Sequence, residues 1–287
     1  MHSTRTLQRV AVLTVTYNSH NILPGMLASL PHGADCTVID NNSTDHAALL
    51  NVVRQYDARL IRNNKNVGFG TACNIGAAHT ETEFFLFLNP DARLEAGALE
   101  ALVIAADTHR DAVAFNPAIS GTNGRPYFKR GSVLLPKREK LPSGWPETDC
   151  RVPVLSGAAL FVRRTAFEAV GGFDPAIFLY HEDDDLALRL RTQCGPLMFV
   201  RAARVMHDAG NSTTRSSQLA AFKAFHMGQS RIYALRKHKR TGAERKALIS
   251  AFWQRVSPVA LISARKRAKQ TAFLRGVLGA MQNKAGP

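Results

Sequence analysis

Short runs of apolar, often β-branched residues alternate with polar loops and helix-like stretches through the first half of the chain. Val10-Ala11-Val12-Leu13-Thr14-Val15 is such a run, followed by polar Thr16-Tyr17-Asn18-Ser19 and a helix expected over residues 24–30. Thr37-Val38-Ile39 repeats the scheme, ending in Asp40-Asn41-Asn42-Ser43-Thr44-Asp45 before a helix expected over residues 47–56. Leu60-Ile61 reads as a third strand, Gly68-Phe69-Gly70 opens a helix to about residue 78, and Phe84-Phe85-Leu86-Phe87-Leu88 is a fourth strand that stops at Asn89-Pro90-Asp91. Alternation of this kind predicts an α/β fold, a mostly parallel sheet flanked by helices. Ligands of such sheets gather beyond the carboxyl ends of the strands, where Thr16, Tyr17, Asn18, Asp40 and Asp91 fall.

Later segments are less regular. Residues 99–106 read as a helix and Val113-Ala114-Phe115 as a strand, but residues 121–153 mix Gly, Pro and basic residues in an irregular excursion or a hairpin. Ala158 to Val162 reads as a strand, residues 165–170 as a short helix, and Gly171-Gly172-Phe173-Asp174-Pro175 as a turn. Leu197-Met198-Phe199-Val200 and Arg204-Val205-Met206 return to the sheet and deliver His207. Near the C-terminus Phe273, Leu274, Val277, Leu278 and Met281 form an apolar stripe at helical spacing, beside Arg265-Lys266-Arg267, Lys269 and Arg275. Such a stripe either packs on the protein's own core or lies against a membrane.

Charge divides the chain in two. The 287 residues carry a formal net charge of +15, from 37 basic and 22 acidic side chains. Residues 236–287 hold 13 Lys or Arg and one acid, Glu244, so 13 − 1 = +12 lies in this segment. The expected division is therefore an α/β domain over residues 1–235 and a basic helical tail over residues 236–287. Nucleic-acid binders usually spread basic residues over a folded face, so nucleic acid is not the expected partner. An anionic membrane surface is, with a solvated helix that has no partner close behind. The polar N-terminus lacks the form of a secretory signal, and no run approaches the roughly 18 apolar residues that span a bilayer, so the expected location is the cytoplasm, peripheral on the inner face of the membrane. Cys36, Cys73, Cys150 and Cys194 are widely spaced and read as reduced, packed thiols.

Glu182-Asp183-Asp184-Asp185 is the densest concentration of charge, set between apolar Phe178-Leu179-Tyr180 and a helix-like run. Adjacent carboxylates raise one another's proton affinity, which equips one of them as a general base. Acids also favour the first turn of a helix, which accounts for the run without chemistry. Asp40 is suited to hydrogen-bonding a nucleotide base or sugar, or to capping the next helix through an Asx-type turn. Asp91 could reach a hard divalent cation on phosphate oxygens, or simply end its strand. Gly68-Phe69-Gly70 lets backbone approach a ligand but is not G-x-G-x-x-G, and no glycine follows Val15 until Gly25, which disfavours a dinucleotide oxidoreductase. His207 is a candidate metal ligand or a structural histidine.

Taken in order, T-Y-N-S at 16–19, D-N-N-S-T-D at 40–45, N-V-G-F-G-T-A-C-N-I-G at 66–76, L-N-P-D at 88–91, S-G-A-A-L-F-V-R-R at 156–164, G-G-F-D at 171–174, Y-H-E-D-D-D-L-A-L-R at 180–189 and His207 resemble the family 2 inverting glycosyltransferases, in particular the bacterial rhamnosyltransferase-like branch. The resemblance covers about residues 8–215 and implies a GT-A fold, a nucleotide-sugar donor and single-displacement transfer with inversion. It assigns the donor to Thr16, Tyr17, Asn18, Asp40, Asn42, Asn66, Gly68, Asn89 and Asp91. Asp91 and His207 would hold a divalent metal, Mg²⁺ or Mn²⁺, and Asp183 would be the base. Many members have Asp-x-Asp where this chain has Asn89-Pro90-Asp91, which leaves one carboxylate there. The implied acceptor is a saccharide or lipid-linked saccharide of a bacterial surface polysaccharide, and the implied donor dTDP-rhamnose. The alternatives are a sugar nucleotidyltransferase, which would be expected to carry a Gly-rich phosphate loop after its first strand, and a non-catalytic basic membrane or nucleic-acid adaptor on a degenerate transferase scaffold.

Overall fold

The apolar runs read from the sequence become the centre of one mixed sheet. The computed structural model describes residues 6–208 and 216–283, without the side chains of residues 259 and 261. Strands β1 (Val10–Thr16), β2 (Asp35–Asp40), β3 (Arg59–Arg62) and β4 (Phe84–Leu88) are joined by helices α1 (Leu23–Leu27), α2 (His46–Gln55) and α3 (Phe69–Ala77). β1 and β4 are buried at every position, so they read as continuous apolar runs rather than alternating ones. α2 starts where Asp45 accepts a hydrogen bond from the Ala48 amide (3.0 Å).

The rest of the sheet comes from β5 (Ala92–Leu94), β6 (Ala114–Ser120), β7 (Cys150–Val152), β8 (Ala159–Arg163) and β9 (Leu197–His207). With them come helices α4 (Ala98–Thr108), α5 (Arg164–Ala169) and α6 (Glu182–Gln193). The order is β3-β2-β1-β4-β8-β6-β9-β5, with β7 paired to β9. β1 to β4 pair in parallel, as do β6 and β9. β8 is antiparallel to β4 and β6, and β5 and β7 are antiparallel to β9. The sheet is thus mostly parallel, with β5, β7 and β8 running against the other six strands. Local patterning did not reveal these reversals, because β8 arrives after an irregular excursion and its direction is set by long-range pairing. The two segments expected around residues 197–206 are one long strand, and β5 was too short to stand out.

Side-chain alternation divides the core between the two faces of the sheet. Val10, Val12, Phe84, Leu86 and Leu88 pack with α1, α2 and α4, whereas Leu13, Val15, Phe85 and Phe87 pack with α3 and with Leu186 and Leu190 of α6. Phe84 stacks on Phe161 of β8 at 4.8 Å between centroids. All four cysteines are free.

A third cluster belongs to the helices α7 (Ser217–Lys237), α8 (Ala243–Arg255), α9 (Pro258–Ile262) and α10 (Ala264–Gln282). α7 runs through residue 235, so the helical region begins at Ser217. Of the C-terminal stripe, Phe273 and Val277 are buried against α7 with Leu274 and Met281 partly so, and Leu278 alone is exposed. That stripe is therefore spent on the core. Backbones touch where α7 crosses α10: a Cβ on Gly276 would run into the carbonyl oxygen of Phe225, and one on Gly228 would stand 2.5 Å from that of Phe273. Among the described residues no helix is long and apolar enough to cross a membrane.

Because neither backbone can yield cheaply, Gly276→Val should destabilise the fold by about 1–3 kcal/mol, as overpacking generally does. Urea denaturation followed by circular dichroism would show a lowered midpoint; an unchanged midpoint would mean that α10 contributes little to stability.

Candidate active site

One cleft of about 360 Å³ opens beyond the carboxyl ends of β1 and β4, and it collects most of the residues singled out above. Tyr17, Asn66, Gly68, Asn89, Asp91, Asp183 and His207 all line it. Thr16, Asn18, Asp40 and Asn42 do not reach its wall and stand beside or beneath it. Asn18 (φ 55°) and Asn42 (φ 70°) hold left-handed backbone where the loops after β1 and β2 meet. The Asn18 side chain accepts from the amide (2.8 Å) and hydroxyl (3.0 Å) of Thr44, locking the two loops together. Asn42 itself is exposed.

Asp40 is fully buried and its Oδ1 accepts the Ser43 amide at 2.8 Å, so it does build a turn. Its Oδ2 has no hydrogen-bond partner, with Arg62 at 3.6 Å and His46 at 3.8 Å. The buried Thr16 hydroxyl is likewise unpartnered. Asn41, which sequence reasoning passed over, joins the floor: its Nδ2 donates to Gly68 O (3.0 Å), while its Oδ1 accepts from Asn63 (3.0 Å) and the Val67 amide (3.2 Å). Gly68 has φ 86° and no room for a Cβ, which would collide with the carbonyl oxygen of Phe178. That carbonyl accepts the Phe69 amide at 3.1 Å and seats the loop before α6 on the start of α3.

β4 ends at Leu88, and Asp91 directly precedes β5, whose first residue, Ala92, is the register partner of His207 in β9. Asp91 Oδ1 lies 3.1 Å from His207 Nε2, and both side chains are nearly buried. His207 Nδ1 has no hydrogen-bond partner. Carboxylate oxygen plus imidazole nitrogen is a donor set that suits a divalent cation whose remaining ligands come from phosphate oxygens. Among the described residues no group of three or more His, Cys, Asp or Glu could hold a metal by itself. Lys223 of α7 lines the same cleft; burial lowers its pKa and the charge of Asp91 only partly opposes this, so the two are electrostatic neighbours.

The four acids open α6, whose N-terminal end favours negative charge. Two consecutive left-handed residues, Tyr180 (φ 66°) and His181 (φ 68°), turn the chain into that helix. Such backbone costs of order 1–3 kcal/mol per residue and is found where the surroundings over-determine it. Each acid has a different environment. Asp183 Oδ2 accepts from Lys129 Nζ (2.7 Å) and the Gly157 amide (2.9 Å), and its Oδ1 accepts the Asp184 amide (2.8 Å). A carboxylate has about four lone-pair sites, so room remains for one more donor. Asp184 shares Lys129 (2.8 Å) and meets His181 Nδ1 (3.1 Å). Burial opposes its ionisation, but those partners hold its carboxyl at about 2. Burial lowers the pKa of Lys129, and the two aspartates more than restore it.

Asp185 turns away from the cleft and is fully buried among Arg189 (2.7 Å), Lys237 (2.8 Å) and His238 (2.8 Å). Burial raises its pKa, and His238, Arg189 and Lys237 overcome that to leave it at about 2. Glu182 differs again. Its Oε2 is buried without a hydrogen-bond partner, and burial, reinforced by the charge of Asp183, pushes its carboxyl up to about 8. At neutral pH Glu182 therefore carries its proton and can donate. Tyr127, Lys129, Phe222 and Lys223 were missed from sequence: the first two lie in the irregular stretch, and the others lie on a helix facing the cleft only through tertiary packing.

The sequence of residues 11–171 matches the family model described as glycosyl transferase family 2. The chain is 33% identical over 254 residues to an N-acetylglucosaminyl-diphospho-decaprenol L-rhamnosyltransferase of Mycobacterium tuberculosis, covering 73% of this chain and 80% of that protein. Its fold resembles that of a mannosyltransferase from Pyrobaculum calidifontis in complex with GDP-Man and Mn²⁺, with a TM-score of 0.57, 15% identity, and coverage of 96% of this chain and 88% of that one. It also resembles GalNAc-T7 with UDP, GalNAc and Mn²⁺, with a TM-score of 0.55, 16% identity, and coverage of 97% of this chain and 56% of that one.

The raised Glu182 carboxyl has a signed consequence for stability. Folding keeps its proton from the ordinary 4.5 up to about 8, so the native state binds more protons than the unfolded chain in that window and stability falls as pH rises through it. Glu182→Gln should lose this contribution to the slope, gaining relative to wild type as pH climbs. Parallel pH dependence of the two melting temperatures would show that Glu182 is ionised in the fold.

Proposed function

The chain belongs to glycosyl transferase family 2, and on that premise we propose that it is an inverting rhamnosyltransferase acting on a lipid-linked saccharide of a bacterial surface polysaccharide. The observation that carries this reading is the shared cleft, in which Asp183 and the Asp91–His207 pair line one cavity beyond the parallel strands. The named activity of the mycobacterial relative supports rhamnose as the sugar, hence dTDP-rhamnose as donor, and a diphospholipid-linked sugar as acceptor. Family membership sets aside the nucleotidyltransferase, and the gathering of Asp183, Asp91 and His207 on one cleft speaks against an adaptor on a degenerate transferase scaffold.

Asp183 acts as the base. It removes the proton of the acceptor hydroxyl as that oxygen attacks the anomeric carbon from the face opposite the leaving nucleoside diphosphate, an effect worth about 10²- to 10⁴-fold. One bond forms as the other breaks, the configuration inverts, and no enzyme nucleophile takes part. The donors from Lys129, Gly157 and Asp184 fix the carboxylate in place, and protonated Glu182 can hydrogen-bond a sugar hydroxyl. Tyr17, Asn66, Gly68 and Asn89 would touch the donor. The open acceptors on Thr16 and Asp40 would serve its nucleoside end, braced by Asn18 and Asn42. Asp91 and His207 would hold Mg²⁺ or Mn²⁺, which when bound supplies Lewis-acid stabilisation of the diphosphate. Lys223 adds fixed positive charge beside it. The basic helices would keep the enzyme peripheral on the cytoplasmic face of the membrane, where the lipid-linked acceptor is reached.

Asp183→Asn should lower turnover by about 10²-fold or more while leaving dTDP-rhamnose affinity unchanged by calorimetry. Full activity in that variant would remove Asp183 from the chemistry. Chelation with EDTA should stop transfer and weaken donor binding, with Mg²⁺ or Mn²⁺ restoring both; chelator-resistant turnover would leave Lys223 as the counter-charge to the diphosphate.

A further inference from the structure

Among the described residues, ten large apolar side chains are exposed, and five of them lie in the segment from Ile249 to Ile262. Ile249, Phe252, Trp253 and Val256 fall at i, i+3, i+4 and i+7 and share one face of α8. The opposite face is small and buried: Ala247 and Ala251 pack into the helical cluster. Trp253 is 66% exposed, and Ile262, at the end of α9, is 87% exposed. The α10 stripe is spent on the core, whereas this outward stripe is exposed among the described residues.

Charge around the stripe points to the partner. Arg245 and Lys246 are exposed one turn before Ile249, and Arg265, Lys266 and Arg267 are exposed directly after Ile262. Those last three occupy the first turn of α10, at a helix end that itself carries partial positive charge and so adds to the cationic rim of the stripe. The only acid of residues 236–287, Glu244, is held by Arg236 at 2.9 Å and leaves the surroundings cationic. A second copy of this face would set like charges against each other. An aliphatic and aromatic stripe edged by cations fits the boundary between headgroups and acyl chains of an anionic bilayer.

We propose that the α8–α9 face, led by Phe252, Trp253 and Ile262, inserts into the interfacial layer of an anionic lipid membrane, with Arg265, Lys266 and Arg267 on the lipid phosphates. This deepens the peripheral membrane reading above by naming the contact face, and it is tested without turnover, so its failure is separate from failure of the transferase assignment. Full-length protein is floated with vesicles of phosphatidylcholine alone and of phosphatidylcholine and phosphatidylglycerol in equal parts. Wild type is expected to float with the anionic vesicles, and Phe252→Ser/Trp253→Ser to bind them at least about tenfold more weakly with an unchanged melting temperature. Arg265→Glu/Lys266→Glu/Arg267→Glu should lose the preference for phosphatidylglycerol. In a Trp145→Phe background, which leaves Trp253 as the sole tryptophan, brominated lipid should quench its fluorescence, a readout that needs no substitution in the face. The proposal is overturned if wild type stays unbound, if the serine variant floats like wild type, or if Trp253 is not quenched. It is equally overturned if sedimentation shows a dimer that the serine variant dissociates, or if the face binds nucleic acid at physiological salt and not vesicles.

Discussion

Four adjacent carboxyl groups cannot leave water together unless each finds its own compensation, and the way α6 solves this organises the molecule around it. Desolvating an ion costs several kcal/mol even after relaxation. Glu182 keeps its proton, Asp183 and Asp184 share Lys129, and Asp185 takes Arg189, Lys237 and His238. Lys129 comes from the irregular excursion between β6 and β7, and Lys237 and His238 come from the end of α7. The acids thus recruit two distant segments, and those segments supply cleft residues of their own: Tyr127 from one, Phe222 and Lys223 from the other.

The same cluster separates roles that the sequence presents as four nearly identical letters. Asp185 points to the C-terminal helices and works as an anchor, reinforced by Asp174, which accepts from Tyr233 (2.9 Å) and Lys237 (2.5 Å). Asp183 alone combines a place on the cleft wall with a carboxylate fixed by three donors. Glu182 sits next to it with the opposite solution to burial, a neutral acid able to donate where Asp183 accepts. Neighbouring carboxyls driven to different protonation by their surroundings are a common arrangement for acid–base work.

Much of the first half was legible from the chain because its signals are local. β1 and β4 are apolar throughout, and the loops after β1, β2 and β4 carry the polar residues that gather around the cleft. The mixed character of the sheet was not legible, since β8 and β5 owe their direction to partners far away in sequence. Lys129 was hidden for a related reason: nothing in Phe128-Lys129-Arg130 marks a residue that will meet Asp183, 54 positions on. The basic C-terminal segment was recognised by charge, but its apolar stripe at Phe273 and Val277 proved to be interior. Spacing reports that a helix has an apolar face; only the packing of α10 against α7 decides which way that face looks.

α7 is held differently at its two ends. Its C-terminus is fastened through Lys237 and His238 to Asp185, and its flank is pressed on α10 at Gly228 and Gly276, while Phe222 and Lys223 stand about four turns away on the cleft wall. Phe222 itself packs edge-on to Phe178, 5.9 Å between ring centroids, so α7 is braced along its length. The stretch of cleft wall it supplies is therefore held by joints outside the cleft, and substitutions at those joints would be felt as altered fit rather than altered chemistry.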